Sequence, residues 1–160
     1  MDIRHTKTTD LNDILNIFKY ARGQMKLNGN PNQWKDNRPA ESLIIEDIEK
    51  GNSYVIENEG SICGVFTLII GEDPTYKNID GKWLNDEPYG TIHRIASNGL
   101  EKGIFSLSLN YSLSKISNIR IDTHSDNKIM QHLIEKNGFI KCGIIYVDDG
   151  TLRIAYHKIR

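Results

Sequence analysis

The stretch Ile119-Arg-Ile-Asp-Thr-His-Ser-Asp-Asn-Lys-Ile-Met-Gln-His-Leu-Ile-Glu-Lys-Asn-Gly-Phe-Ile-Lys-Cys-Gly143 changes its apolar period twice. Ile119 and Ile121 alternate with Arg120 and Asp122, as in a strand with one apolar face. Asp126 and Asn127 are residue types that cap helix starts, and Ile129, Met130, Leu133 and Ile134 then recur at the spacing of one helical stripe. Gly138 closes that helix, because a glycine just past the last turn enters the left-handed region without steric cost, and Phe139 turns back onto the packed face. The segment reads as strand, turn, helix, turn, strand.

Reading outward from it, Ile144 to Val147 completes a strand, Asp148-Asp-Gly150 is a turn, and Thr151 to Lys158 returns as the last strand. On the other side, the run from Ser97 to Phe105 opens a helix whose apolar face draws on Ile104, Leu107, Leu109, Tyr111 and Leu113. Thr91 to Ala96 is a strand with His93 and Arg94 at its centre. Neighbours in a strand point to opposite faces, so only one of this pair is expected to line a cleft. Ser53 to Glu57 and Ser61 to Ile70 form two strands joined by Asn58-Glu59-Gly60, the second apolar enough to be covered on both faces. Residues 2 to 6 read as a strand. Leu11, Ile14, Leu15, Phe18, Ala21 and Met25 then trace a helix that stops near Asn28-Gly29-Asn30-Pro31. A second helix runs from about Ala40 to Lys50. The order is strand, helix, helix, three strands, helix, strand, helix, two strands, in one domain over residues 1–160.

With 160 residues, 38% hydrophobic and 26% charged, the chain is long enough for a continuous core without staples and too apolar for disorder. A net charge of -1 gives no general attraction to nucleic acid or to an anionic membrane. Cys63 and Cys142 sit in apolar runs with no ligand-spaced partner, so free thiols are expected and a metal site is not. No signal-like N-terminus and no membrane-spanning run is evident, and a cytoplasmic protein is expected.

Two polar stretches can carry a site. Asn30 to Pro39 embeds Trp34, which either covers the core edge or lines a substrate pocket. Gly71 to Gly90 is too long for a hairpin turn and holds Tyr76, Trp83 and Tyr89 among five acidic residues. It reads either as a packed lid that buries its own aromatics or as an acceptor pocket whose acids receive a cationic amine.

Asn127, the apolar helix after it and Glu135-Lys136-Asn137-Gly138-Phe139 resemble the Asn…Leu-Tyr-Glu-Lys-x-Gly-Phe segment of the GNAT superfamily of acyl-CoA-dependent N-acetyltransferases. Gln33-Trp34, Ile92-His-Arg-Ile-Ala96, Ile121-Asp-Thr-His124 with Asp126-Asn127, and Cys142-Gly143 extend the resemblance over nearly the whole chain. It implies an α+β fold with a mixed, mostly antiparallel central sheet of about seven strands and about four helices. It also implies an acetyl-CoA-dependent N-acetyltransferase acting on a primary amine of a small molecule or an amino-terminal group. The alternative is a fold that binds acyl-CoA without turnover, as a sensor or interaction module. Family members dimerise through edge strands, which makes the last strand, with Ile154, Tyr156 and Ile159, a candidate homodimer surface.

The family's phosphate motif, Gln/Arg-x-x-Gly-x-Gly/Ala, falls on Leu100, Gly103 and Phe105, and only Gly103 agrees. Gly99, Lys102, Gly103, Ile104 and Phe105 nevertheless supply flexible positions, a cation and backbone N–H groups at a helix start, which suits a pyrophosphate. The pantetheine arm maps onto the backbone of Ile95, Ala96 and Ser97, with Asn127 opposite, unless Asn127 is only a helix cap. His93 is the first candidate for the base, since imidazole titrates near neutral pH, with a core histidine as the other reading. His124 and Tyr146 are further candidates for proton transfer, and Tyr156 a weaker one. The tyrosine that many members use to protonate the leaving thiolate corresponds to Ile134, so no general acid is assigned.

Overall fold

The computed structural model describes residues 1–160, which run β1 (Asp2–His5), α1 (Leu11–Leu27), α2 (Glu41–Glu49), β2 (Ser53–Asn58), β3 (Ser61–Ile70), β4 (Asp80–Gly81), β5 (Gly90–Ser97), α3 (Ile104–Lys115), β6 (Asn118–Thr123), α4 (Lys128–Lys136), β7 (Ile140–Tyr146) and β8 (Leu152–Ile159). The strands form one eight-stranded sheet in the order β1-β2-β3-β5-β6-β8-β7-β4. Every neighbouring pair is antiparallel except β5 with β6. The mixed α+β architecture and the four helices are as the sequence predicts.

The strand beyond the expected seven is β4, two residues inside the stretch read as a loop. It pairs with β7 through Gly81 and Gly143. A Cβ on Gly81 would stand 2.1 Å from the Cys142 carbonyl oxygen, and one on Gly143 would stand 2.1 Å from that of Asp80. Only two glycines, at φ 137° and 152°, allow backbones to meet that closely.

Alternation along the strands sorts the core onto two faces. Tyr54, Ile56, Phe66, Ile121, Ile154 and Tyr156 pack under α3 and α4, together with Ile104, Leu109 and Ile134. Val55 and Val65, on the opposite face, pack under α1 and α2 with Ile14, Phe18 and Ile44. Further along that face, Ala155 and Ile145 are covered by Tyr76, Trp83 and Tyr89 of the loop from Gly71 to Gly90. Strand β3 is buried along most of its length, as its richness in Ile, Val and Phe predicts.

Two expectations change. The buried face of α3 is Ile104, Phe105, Ser108, Leu109, Ser112 and Leu113, so Leu107 yields to two serines, while Tyr111 packs on Tyr54 and Phe66 from the edge of that face. Those hydroxyls are satisfied without leaving the core, since Ser108 Oγ donates to the Ile104 carbonyl and Ser112 Oγ to that of Ser108, both at 2.8 Å. The last strand is no edge. It lies between β6 and β7, with Ile154 and Tyr156 buried, so the surface proposed for dimerisation is inside the sheet.

Candidate active site

The site begins with a miscount between two strands. Val65 pairs with Ala96 and Thr67 with His93, so the single residue Phe66 faces both Arg94 and Ile95. The extra residue is absorbed at Arg94, whose φ of 49° is left-handed. Such a conformation costs a non-glycine residue about 1–3 kcal/mol and needs to be held. Asp47 of α2 holds it: its carboxylate accepts from Arg94 Nε at 2.7 Å and Nη2 at 2.8 Å, and Thr67 Oγ1 donates to the same group at 3.0 Å. The bulge breaks the alternation that the sequence reading relied on. His93 and Arg94 both line one cavity of about 280 Å³.

That cavity exists because β5 and β6 part. Their parallel pairing is confined to Gly90 with Ile119 and Thr91 with Arg120. Beyond it the edge of β5 that faces β6 has no strand partner, and its backbone donors and acceptors are open. Trp34 and Tyr76 close the cavity, and Trp34 also packs edge-on against Phe18 at 5.4 Å, so it covers the core edge and lines the cavity at once.

His93 Nε2 lies 2.9 Å from Asp73 Oδ2. Asp73 is fixed in turn, its Oδ1 accepting from Thr75 N at 2.9 Å and its own N–H donating to Tyr89 Oη at 2.7 Å. Burial pushes the Asp73 carboxyl up, but the hydrogen bonds from His93 and Thr75 and the charge of His93 outweigh it, and the group titrates below its ordinary range. An ionised Asp73 accepts the Nε2 proton and leaves Nδ1 of His93 as the free basic nitrogen. Tyr76 Oη donates to Asp122 Oδ2 at 2.6 Å. Complete burial and the nearby Asp122 charge hold this hydroxyl well above its usual pKa, so it stays protonated.

Other residues singled out in the sequence fall elsewhere. His124 Nδ1 accepts from Asp126 N at 3.0 Å within the turn before α4, and its ring does not line the cavity. Burial first, then the charge of Arg153, lowers its pKa. Tyr146 is half exposed on β7, its Oη 3.4 Å from Asp80 Oδ2 and outside the cavity. Tyr156 is buried in the core, where desolvation raises its pKa to about 12. Trp83 and Tyr89 lie beneath the cavity and sandwich the Arg120 guanidinium at 4.2 and 3.9 Å from their ring centres. They serve the site at one remove, Trp83 Nε1 donating to the Tyr76 carbonyl at 3.0 Å and Tyr89 to the backbone of Asp73.

A second recess of about 260 Å³ adjoins the cavity and shares Met25, Asn127 and Met130 with it. Ser97 and Gly99 line this recess, while Ile95 lines the inner cavity and Ala96 is buried between α1 and the sheet. Asn127 does two things. Its Oδ1 caps α4 by accepting from Met130 N at 3.0 Å, and its Nδ2 donates to Gln33 Oε1 at 2.9 Å, tying the helix to the Trp34 loop. Next to the recess, Gly99 and Gly103 are left-handed at φ 77° and 81°. Gly103 begins α3, and no side chain caps it. Ile104 and Phe105 point into the core, so they offer this end only their backbone N–H groups, with Lys102 exposed beside them. Gly64 makes the approach possible, since a Cβ there would come within 3.0 Å of Ile104.

The comparisons with known proteins agree with this fold. A GNAT-family acetyltransferase from Streptococcus agalactiae 2603 is 32% identical over 99% of this chain and 95% of its own, with a TM-score of 0.87. A candidate acetyltransferase from Staphylococcus aureus Mu50 is 29% identical over 99% of both chains, with a TM-score of 0.74. A GNAT-family acetyltransferase from Listeria monocytogenes 4b F2365, 21% identical over 99% of this chain and 94% of its own at a TM-score of 0.71, shares the fold. Sequence models of protein families and curated proteins give no match. The chain has the open, mostly antiparallel sheet of that fold, parted here between β5 and β6. The chain belongs to the GNAT family of acetyltransferases.

Proposed function

We propose that the protein transfers the acetyl group of acetyl-CoA to the primary amine of a small molecule or to an amino-terminal group, directly within a ternary complex. The observation that carries this reading is the opening between β5 and β6, with His93 and Asp73 on its wall and the uncapped start of α3 beside its outer end. Acetyl-CoA would supply the acetyl group already activated as a thioester. The donor set fits it: backbone N–H groups at a positive helix end, Lys102 and two left-handed glycines suit a pyrophosphate. The unpaired edge of β5 suits an arm that carries amides. Backbone N–H groups on this edge are also the donors available to a carbonyl oxygen as it gains charge.

His93 is the group to take a proton from the amine, because Asp73 orients its ring and stabilises the imidazolium that results. Tyr76, tied to Asp122, acts as a fixed hydrogen-bond donor. Ile134 is 0% exposed in the core, so no side chain at that position reaches a leaving thiolate, and solvent protonates it. The two unpaired cysteines fit a cytoplasmic setting.

The burial of Ile134 also favours a second reading, in which acetyl-CoA binds without being consumed. Thermal stability with acetyl-CoA, coenzyme A or ATP, followed by a thiol-release assay over a panel of amines, separates the two. Stabilisation by acetyl-CoA together with amine-dependent thiol release supports transfer. Stabilisation without release leaves the binding module, and no stabilisation overturns both.

A further inference from the structure

The ionisable groups around the cavity are mostly spoken for. Arg94 is paired with Asp47, His93 with Asp73, and Asp122 accepts from Tyr76. Arg153 is the buried exception. It is 9% exposed on the cavity wall, its only hydrogen bond is from Nη1 to the Leu152 carbonyl at 3.3 Å, and it enters no ion pair. A guanidinium carries five N–H donors in a rigid fork matched to a carboxylate. The remaining N–H donors of Arg153 reach the open cavity rather than a protein acceptor, so an incoming carboxylate would find them free.

The nearby charges do not provide a partner. Burial lowers the pKa of Arg153, Asp122 and Asp149 only partly oppose this, and Arg38 adds to it by repulsion. Arg38 is an exposed cation on the same rim, also outside any ion pair, so two positive groups converge where a neutral wall would serve a simple amine. Asp148, exposed on the β7–β8 turn, is the one lining acid with neither an ion pair nor a hydrogen bond, and it lies at the mouth.

We propose that the acceptor carries a carboxylate as well as its amine, as an amino acid does, and that Arg153, assisted by Arg38, binds that carboxylate while the amine faces His93. This rests on the transferase reading above and names its substrate class. Bidentate recognition by a buried arginine discriminates strongly, because an analogue without the anion leaves the guanidinium unmatched.

The test uses matched pairs: free L-amino acids of differing side chain, and their carboxamides. Each is titrated against the full chain by calorimetry with coenzyme A present, and each is assayed for thiol release with acetyl-CoA. The expected result is that one or more acids bind at least tenfold tighter than their amides and exceed them equally in kcat/KM. In Arg153→Gln the ratio falls toward unity through a higher KM at nearly constant kcat, and Arg153→Lys restores part of it. Folding of both variants is checked by their melting temperatures. Equal or better binding of the amides overturns the proposal, as does failure of every acid to bind, or an Arg153→Gln effect of the same size on both members. If no amine releases thiol, the transferase reading fails, while the calorimetric ratio still decides whether Arg153 is a carboxylate site.

Discussion

Asp47 and Arg94 form a forked ion pair, with Nε and Nη2 of the arginine at 2.7 and 2.8 Å from the two carboxylate oxygens, across the interface between α2 and the bulge of β5. The pair is largely buried, at 7% and 16% side-chain exposure, and it secures a left-handed backbone at a non-glycine residue. Removing one partner leaves the other charge uncompensated. Asp47→Ala is expected to lower stability by about 3 kcal/mol, toward the lower end for a buried pair, in urea unfolding. It should also reduce kcat/KM, because the bulge that brings His93 and Arg94 to one cavity loses its tether. Full activity in a folded Asp47→Ala protein would show that the bulge holds itself.

His93→Ala removes the proposed base, and thiol release is expected to fall by about 100-fold or more with little change in the KM for acetyl-CoA. Asp73→Asn keeps the shape but lets the ring turn or change tautomer, so a smaller fall is expected, with a shifted acid limb in the pH profile. Unchanged profiles in both variants would remove the pair from the mechanism.

The pair also sets a pH dependence of stability. The Asp73 carboxyl titrates lower in the folded chain than in the unfolded one. Its contribution is therefore full above the ordinary carboxylate range and is lost as pH falls through the folded-state value. Asp73→Asn should flatten this acid-side slope, measured by unfolding between about pH 5 and pH 2.

His157 is 0% exposed, its Nδ1 accepting from Leu84 N at 3.2 Å and its Nε2 donating to Asn118 Oδ1 at 2.9 Å. Desolvation, with help from the Arg120 charge, lowers its pKa to about 4. The unfolded chain takes up a proton here near the ordinary imidazole value and the folded chain does not. Stability from this residue is full above that value and falls as pH drops toward about 4. An NMR titration should find this ring neutral at pH 5, and protonation near pH 6.5 would contradict the buried geometry.

Gly143→Ala places a methyl group on the Asp80 carbonyl, a backbone atom that cannot turn aside. A loss of more than about 1 kcal/mol is expected, together with faster amide exchange at Lys82, whose N–H donates to the Cys142 carbonyl at 3.0 Å. Exchange unaltered at Lys82 would mean that β4 survives the clash.

Most elements were legible because their apolar residues keep one period throughout. Asn127 as a cap, Gly138 as a stop and the covered strand β3 follow from residue type and spacing. What escaped depends on partners far away in the chain. The two-residue β4 is too short for any period, and its signal lies in a glycine contact across 62 positions, between Gly81 and Gly143. Ser108 and Ser112 look polar until their i−4 carbonyls are counted. Asp73 reads as one loop acid among five, and Arg153 carries no signal of its own within the last strand. Only the bulge, the parting of β5 from β6 and the turn after β7 bring them to His93's cavity. Gln33 could be marked only through its neighbour Trp34.

The bulge has a consequence for how this strand can change. Between the pairs that join β3 and β5, one chain counts Phe66 and the other counts Arg94 and Ile95. The surplus residue acts as length. Substitutions along β5 alter one side chain at a time, but losing Arg94 or Ile95 would set Phe66 against a single residue and heal the bulge, with His93 still opposite Thr67 and Ala96 still opposite Val65. Two neighbouring side chains could then no longer share the cavity, because a regular strand sends them to opposite faces. Strand β5 can therefore vary in letters far more freely than in number.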